Sequence, residues 1–326
     1  MWTAGAPGCF DSARSPRIPA LLPVKTIFID CTDQLEPLFA RAHGPGDPPI
    51  AVHKDTGSDD VPRLVDGYDA CVVDHTYMPA VLLERCGTLR HIVFLGTGAS
   101  SYIDIDGASR RGITVHTIKG YGDTSVAEHA IALMMSAARG IALMDRKVRG
   151  GTWHKVEGVQ LAGRTLGVIG MGGIGREVAR IGAGIGMTVI GWNRSALTDA
   201  PVPMVALDEL LARSDVVSLN LALNDATRGF LDAARLARLK PGCILVNTAR
   251  GGLIDTAAMI RELEAGRIAH AGLDVFDPEP VPAGDPLTRL DNVTLAAHTG
   301  FLTGEAALEL LRRAVAIVRD LVAKGA

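Results

Sequence analysis

The sequence predicts an α/β protein built from two doubly wound parallel sheets. From Val24 onward, short runs rich in β-branched residues alternate with helical stretches, a pattern typical of parallel sheets with helices on both faces. The chain has 326 residues. At roughly 150 residues per domain, this length predicts two domains, each large enough to bury its own core.

The predicted strands fall into two sets, and six strands in one block are enough for a complete doubly wound domain. The first set includes residues 25–30, 70–73, 91–95 and 114–116, and the second includes residues 165–169, 188–192, 216–219, 243–247, 271–275 and 293–296.

A long helix is predicted between the two sets, over residues 125–149. Ser125 followed by Glu128 matches a capping box, and Gly150 suits the position after the last helical residue. Apolar side chains occur nearly all round this helix, so it must be buried on more than one side. It is either a core helix between the domains or a helix shared with a second subunit.

Composition and charge exclude several classes of protein. The net charge is −3 with no basic block, which argues against nucleic acid as a partner. No apolar run approaches the roughly 18 residues that span a bilayer, so we expect a soluble protein that does not bind membranes. Residues 1–23 lack an apolar core and are expected to be a loose leader rather than a signal peptide. The widely spaced cysteines indicate neither a metal site nor a disulfide framework, and they fit a reducing cytoplasm. They are Cys9, Cys31, Cys71, Cys86 and Cys243.

One glycine-rich segment predicts a dinucleotide site. Gly170-Met171-Gly172-Gly173-Ile174-Gly175 follows an apolar strand and precedes a helix predicted over residues 176–185. In this context Gly170 allows a tight turn, Gly172 lets the backbone approach a pyrophosphate, and Gly175 permits close packing of the helix. The alternative is a simple glycine-rich turn in a chain with 37 glycines.

The end of the next strand bears on cofactor choice. An acidic residue is expected there to bind the adenosine ribose, but the chain has Asn193, Arg194 and Ser195. Asparagine does not repel a 2′-phosphate, and arginine binds one with a charge-assisted fork, so NADP is favoured over NAD. An arginine here can also stack on the adenine of either cofactor.

Three polar residues follow late strands, where an open α/β sheet presents its ligands: Arg250, Glu279 and His298. They suit the reduction of a 2-oxo acid. This reaction needs a hydride from a nicotinamide, a proton for the carbonyl oxygen and a cation for the carboxylate. Histidine titrates near neutrality, so His298 can deliver the proton to the carbonyl oxygen. Glu279 would orient the ring and stabilise the imidazolium. The guanidinium of Arg250 matches a carboxylate and polarises the adjacent ketone.

The segments around these residues resemble the three signatures of the D-isomer-specific 2-hydroxyacid dehydrogenase family. The similar segments are residues 247–252, 274–280 and 292–300, together with 161–170 and 125–129. The resemblance runs from about Val24 to the C-terminus. It implies a flavodoxin-like substrate domain (residues 24–118 and 298–326) and a Rossmann dinucleotide-binding domain (residues 119–297).

The resemblance also implies roles for particular residues. It assigns Arg250, Glu279 and His298 the catalytic roles given above, and it places Asp274 near the nicotinamide carboxamide. It implies a homodimer with the 125–149 helix at the interface. The backbone amides of the loop after the fourth strand would help to hold the substrate carboxylate. The implied substrate residues are Thr97, Gly98, Ala99 and Arg250, and Thr248 and Ala249 join the glycine motif in the cofactor site.

Some departures from the family pattern narrow the function. Segment 73–78 reads VDHTYM and lacks the arginine expected for a phosphorylated substrate. The leading hypothesis is therefore an NAD(P)H-dependent reductase of small unphosphorylated 2-oxo acids, such as glyoxylate or hydroxypyruvate. The alternatives are a phosphoglycerate dehydrogenase-like enzyme and a non-catalytic, NAD(P)-sensing protein that resembles the family's corepressors. Two loops also depart from the pattern: residues 96–104 and Asn220-Leu221-Ala222.

Overall fold

The computed structural model describes residues 24–54 and 56–325 and contains two separate parallel sheets. This confirms the predicted fold class. The leader predicted at residues 1–23 lies outside the described residues.

The first sheet has five parallel strands in the order β2-β1-β3-β4-β5, the flavodoxin-like order. Its strands are β1 (Thr26–Phe28), β2 (Ile50–Val52), β3 (Ala70–Val73), β4 (His91–Phe94) and β5 (Thr114–Thr117). The sequence analysis did not find β2. This strand has three residues at the sheet edge, and none of its side chains is buried, so it lacks the apolar run that marks the others.

Five helices surround the first sheet: α1 (Glu36–Ala42), α2 (Val61–Leu64), α3 (Ala80–Leu83), α4 (Ile105–Arg110) and, from the far end of the chain, α11 (Gly304–Lys324). The buried residues Leu311 and Val315 of α11 pack in one cluster with Phe28, Val72 and Val93 of the sheet. The C-terminal helix thus returns to the first sheet.

The second sheet has six parallel strands in the order β11-β10-β9-β8-β6-β7. They are β6 (Thr165–Ile169), β7 (Thr188–Trp192), β8 (Val216–Leu219), β9 (Cys243–Asn247), β10 (Ile268–Leu273) and β11 (Val293–Leu295). A parallel bridge between Gly191 and Met204 extends the sheet beyond β7. With that bridge counted as a short strand, the chain follows the dinucleotide-binding order 3-2-1-4-5-6 with one strand added.

The remaining helices are α5 (Asp123–Arg139), α6 (Ile141–Arg149), α7 (Gly173–Gly184), α8 (Leu207–Arg213), α9 (Ala233–Leu236) and α10 (Thr256–Glu264). Short 3₁₀ turns occur at Ser58–Asp60, Ala99–Ser101, Gly251–Leu253 and Pro286–Arg289.

The prediction of one continuous helix over 125–149 is wrong, because α5 and α6 are bent by 66° at Gly140. Gly140 has φ +60°, a left-handed conformation that glycine adopts without strain, and a Cβ there would lie 2.7 Å from Cγ1 of Val156.

The predicted capping box is also wrong. The helix begins at Asp123, and the Ser125 hydroxyl pairs with the Thr303 hydroxyl at 2.8 Å instead of capping a backbone N–H.

Helix α5 is a core helix of the second sheet. Its buried Ala130 and Met134 belong to one cluster with Leu166 of β6 and Val178 of α7. In the described part of the chain, no single helix is long and apolar enough to cross a membrane, and α5 and α6 meet that criterion only as a bent pair.

A buried histidine on the second sheet couples stability to pH. His270 of β10 is 8% exposed, and its Nε2 pairs with the Thr294 hydroxyl at 2.9 Å. Burial, with a further contribution from Arg146, lowers the pKa of His270 from 6.5 to about 4. An unfolded chain therefore takes up a proton here near pH 6.5, whereas the folded protein does not until pH 4. Stability contributed by the neutral ring is complete above pH 6.5 and declines as the pH falls.

We expect the free energy of unfolding of the wild-type protein to fall by about 2 to 3 kcal/mol through His270 between pH 7.5 and 4.5. The His270→Gln variant, which keeps a neutral partner for Thr294, should lose that component. Urea unfolding at both pH values measures it, with exposed His154→Gln as the matched control. A His270→Gln protein with the pH dependence of wild type contradicts the assignment.

Candidate active site

The three late-strand residues lie in loops at the carboxyl edge of the second sheet. Arg250 follows β9, Glu279 lies in the loop after β10, and His298 follows β11. Neighbouring parallel strands end at the same edge, which is how residues far apart in the sequence come together.

His298 and Glu279 form a hydrogen-bonded pair. Nδ1 of His298 lies 2.7 Å from Oε2 of Glu279, and Oε1 of Glu279 accepts the N–H of Phe276 at 2.8 Å. Each of the paired side chains is about one-third exposed. Because the carboxylate engages Nδ1, the other ring nitrogen, Nε2, remains for a ligand.

The backbone of His298 is itself unusual, with φ +54° in the left-handed region. Few non-glycine residues adopt this conformation, and it needs support from the surroundings. The N–H of His298 donates to the carbonyl of Asp274 at 2.8 Å. The buried carboxylate of Asp274 accepts the next two N–H groups, those of Thr299 and Gly300, each at 2.9 Å.

Asp274 thus holds the loop that carries His298. Its Oδ1 also lies 3.2 Å from Nε2 of His129 on α5. The placement of Asp274 near the nicotinamide carboxamide stays a prediction.

Arg250 reaches from the second sheet to the first. Its Nη1 donates to the carbonyl of Ala249 at 2.6 Å, and its Nη2 lies 3.4 Å from the position of a Cβ on Gly98. The guanidinium therefore lies beside the loop in which Thr97 is exposed, Gly98 is half-buried and Ala99 is buried. The structure brings together the four residues predicted to bind substrate.

The glycine motif forms a turn into α7. Gly170 has φ +94°, and a Cβ on Gly175 would overlap the carbonyl oxygen of Gly170. No atom lies within 4 Å of a Cβ placed on Gly172, so that side of the turn is open. The helix begins at Gly173, three residues before the predicted start. A side chain on Gly173 would overlap the carboxylate of Asp123.

The residues after β7 pack against this turn. Oδ1 of Asn193 accepts the N–H of Met171 at 3.2 Å, and its Nδ2 donates to the carbonyl of Ser195 at 2.9 Å. The Arg194 side chain is exposed. Met171 is buried and Ile174 is half-buried.

The arrangement fits a bound dinucleotide. The turn offers open backbone at Gly172 and the amino end of a 12-residue helix, where an anion is favoured. Two buried polar atoms at the same sheet edge have no hydrogen-bond partner among the residues that the structure describes: Oγ1 of Thr248 after β9 and Oδ1 of Asn220 after β8. Such atoms need a partner, which a ligand can provide. In the described part of the chain, no cluster of three His, Cys, Asp or Glu side chains is placed to hold a metal ion.

The sequence analysis missed several polar residues near the site. Asp123 lies against the glycine turn, and burial raises the pKa of its carboxyl. Asp30 and Tyr121 lie at the carboxyl edge of the first sheet, after β1 and β5. An isolated acidic or aromatic residue does not form a motif that a single sequence can reveal. The signal that could have found Asp30 and Tyr121 is their position at or after the ends of predicted strands.

Comparisons with known proteins identify the family to which the chain is similar. Residues 131–300 match the model of the "D-isomer specific 2-hydroxyacid dehydrogenase, NAD binding domain". A hydroxypyruvate reductase of Thermotoga maritima is 39% identical over 255 residues, which cover 76% of this chain and 83% of that protein. A D-3-phosphoglycerate dehydrogenase of Archaeoglobus fulgidus is 38% identical over 272 residues, 81% of this chain, but the chain spans only 51% of that relative.

Among solved structures, a glyoxylate reductase from Paecilomyes thermophila matches with a TM-score of 0.78 and 32% identity, covering 93% of this chain and 97% of that one. The two sheets and the glycine turn define an NAD-binding oxidoreductase fold. The chain belongs to the D-isomer-specific 2-hydroxyacid dehydrogenase family.

Two glycine variants separate folding from cofactor binding. Gly175→Ala should lower the melting temperature, because the new methyl group overlaps the Gly170 carbonyl. Gly172→Ala has room and an ordinary φ of −72°, so it should fold like wild type but bind NADH and NADPH roughly tenfold or more weakly. Thermal unfolding and cofactor fluorescence titration measure the two effects. Unchanged cofactor affinity in Gly172→Ala would refute the placement of the pyrophosphate.

Proposed function

We propose that the protein reduces small unphosphorylated 2-oxo acids to 2-hydroxy acids with a nicotinamide cofactor. The observation that carries the proposal is that Arg250 and the hydrogen-bonded His298–Glu279 pair lie in loops at the sheet edge that also bears the glycine turn. Hydroxypyruvate and glyoxylate reductases among the relatives support it.

Substrate binding depends on Arg250. Its planar guanidinium pairs with the substrate carboxylate and polarises the neighbouring ketone, and the backbone amides of residues 97–99 lie beside it. The glycine turn and the residues after β7 would hold the dinucleotide, which would supply the hydride for the carbonyl carbon.

His298 delivers the proton. With Nδ1 hydrogen-bonded to Glu279, Nε2 carries the proton that passes to the carbonyl oxygen as the alkoxide forms. Glu279 keeps the ring in one orientation and balances the charge of the imidazolium. Asp274 positions the loop on which this histidine lies.

The choice among alternatives follows from the residues present. A phosphoglycerate dehydrogenase is disfavoured because the loop after β3 has the acidic Asp74 in the segment where an arginine would bind the phosphate. A non-catalytic sensor needs no proton donor, yet His298 and Glu279 are paired in a geometry suited to proton transfer.

The His298→Ala variant should lower kcat for glyoxylate or hydroxypyruvate by roughly 10²-fold or more, because it removes the proton donor. Cofactor affinity should stay close to wild type, since the glycine turn is untouched. Steady-state assays by NAD(P)H absorbance, with exposed His154→Ala as the control, test this. A His298→Ala protein that works at the wild-type rate contradicts the assigned role and favours the sensor.

We propose NADP as the preferred cofactor. Asn193 leaves the ribose 2′-position without an acidic neighbour, and Arg194 is exposed beside it and free to meet a phosphate. The adenine-stacking role of Arg194 remains the alternative.

NADPH should therefore exceed NADH in kcat/KM by about tenfold, the effect of one charge-assisted hydrogen bond. Asn193→Asp preserves the acceptor for Met171 N–H and should shift preference to NADH by repelling the 2′-phosphate. Arg194→Gln removes only the attraction and should weaken NADPH alone. A tenfold preference of wild type for NADH, or equal loss of both cofactors in Arg194→Gln, would overturn the NADP proposal.

We also propose a cytoplasmic homodimer. Large apolar side chains are exposed on α6 and the segment after it: Ile141 at 52%, Val148 at 48% and Trp153 at 82%. A second subunit that covers them gains about 25 cal/mol per Å² of apolar surface buried. Within residues 24–54 and 56–325 the cysteines are free and buried, which fits a reducing compartment: Cys31, Cys71, Cys86 and Cys243. The proposed domain boundaries remain 118/119 and 297/298.

A further inference from the structure

The carboxyl edge of the first sheet bears a carboxylate to which the proposed mechanism gives no role. Asp74 follows β3 directly, and β3 pairs in parallel with β4, with Val73 beside Phe94. The N–H of Leu95 donates to the carbonyl of Val73 at 2.8 Å, which extends this pairing past the end of β4. Asp74 therefore begins about one strand spacing, roughly 5 Å, from the loop that faces Arg250.

The turn that carries Asp74 is held rigidly by Asp30. The buried carboxylate of Asp30 accepts the backbone N–H groups of Asp74, His75 and Thr76, each at 2.9 Å, and the Thr76 hydroxyl at 2.7 Å. These bonds engage the backbone of the turn and not the carboxylate of Asp74. A carboxylate on such a fixed turn can discriminate between ligands, because it does not move away from an unfavourable group.

The Asp74 carboxylate has one close polar partner among the described residues. Its Oδ2 lies 3.2 Å from Nδ1 of His75, and its side chain is 32% exposed. Burial raises the pKa of this carboxyl, while His75 lowers it and Asp30 raises it. A partly desolvated carboxylate with unused lone pairs gains from a hydrogen-bond donor.

Tyr121 lies close enough to both Asp74 and Arg250 for their charges to act on its phenol. Burial raises the pKa of the Tyr121 phenol, the charge of Asp74 raises it further, and the charge of Arg250 lowers it. Tyr121 follows β5, at the same carboxyl edge as Asp74. By strand register, the anion Asp74 lies one strand spacing from the loop after β4, against which the Arg250 guanidinium lies.

We propose that Asp74 is a specificity-determining residue that accepts a hydrogen bond from a donor group on C3 of the substrate. The inference rests on the proposed function and deepens it: with the C1 carboxylate on Arg250, the preferred substrates are 2-oxo acids with a 3-hydroxyl group. A methyl group at C3 leaves the carboxylate without a partner. A phosphate at that position brings negative charge against it and is excluded.

Four 2-oxo acids that differ only beyond C2 test this: glyoxylate, which has no C3, then pyruvate, hydroxypyruvate and 3-phosphohydroxypyruvate. Their kcat/KM values are measured for wild type, Asp74→Asn, Asp74→Leu and Asp74→Arg. The matched control is Asp66→Asn, an exposed carboxylate that precedes β3 and so lies at the opposite edge of the sheet.

We expect wild type to prefer hydroxypyruvate over pyruvate, and Asp74→Asn to reduce that ratio by about tenfold, the effect of a charge-assisted hydrogen bond. Asp74→Leu should reduce it at least as far. Glyoxylate should be reduced by both variants at close to the wild-type kcat/KM, which also shows that they fold. Asp74→Arg should gain activity on 3-phosphohydroxypyruvate, and Asp66→Asn should match wild type throughout.

Two results would overturn the inference while leaving the proposed function intact. The first is a hydroxypyruvate-to-pyruvate ratio of kcat/KM that is unchanged in Asp74→Asn and Asp74→Leu. The second is an equal change in kcat/KM for glyoxylate, pyruvate and hydroxypyruvate in these variants. A wild-type protein that reduces none of the four acids with either cofactor would overturn the proposed function itself and the inference with it.

Discussion

The site depends on one buried carboxylate, that of Asp274. Its two oxygens accept the N–H groups of Thr299 and Gly300, and its carbonyl accepts that of His298. These three bonds hold His298 in a left-handed conformation that the residue would not adopt on its own. Without them the ring of His298 would have no fixed approach to Glu279. This buried acid thus sets the geometry on which the proposed chemistry rests.

The first sheet uses the same device. Asp30, buried at the end of β1, accepts the N–H groups of the turn after β3, just as Asp274, after β10, accepts those of the loop after β11. In both cases a carboxylate at the end of one strand fixes the loop after a neighbouring strand. Backbone N–H groups without partners in these loops are costly when removed from water, and the charged acceptor satisfies several at once. The two edges carry groups of opposite charge: Asp74 follows β3, and the loop after the neighbouring strand β4 lies against Arg250.

Predictions from sequence succeeded where the structural requirement is local, and they failed where it depends on a distant segment of the chain. The glycine turn was predicted in detail because its requirements are local: Gly170 needs a positive φ, and Gly175 has no room for a side chain. The bend at Gly140 was missed because the residue that excludes a Cβ there, Val156, lies on a separate segment. Strand β2 was missed because an edge strand with no buried side chain shows no periodic signal.

The sequence by itself determined the two-sheet α/β architecture, the dinucleotide turn and the chemical groups of the site. Alternation of apolar runs, glycine spacing and residue type are all properties of short segments. Only the tertiary structure decided that Asp274 and Asp30 hold loops, and that the turn with Asp74 neighbours the loop that lies against Arg250. These relations join residues from different strands. Their distances are set by the order and register of the parallel strands, which no local pattern encodes.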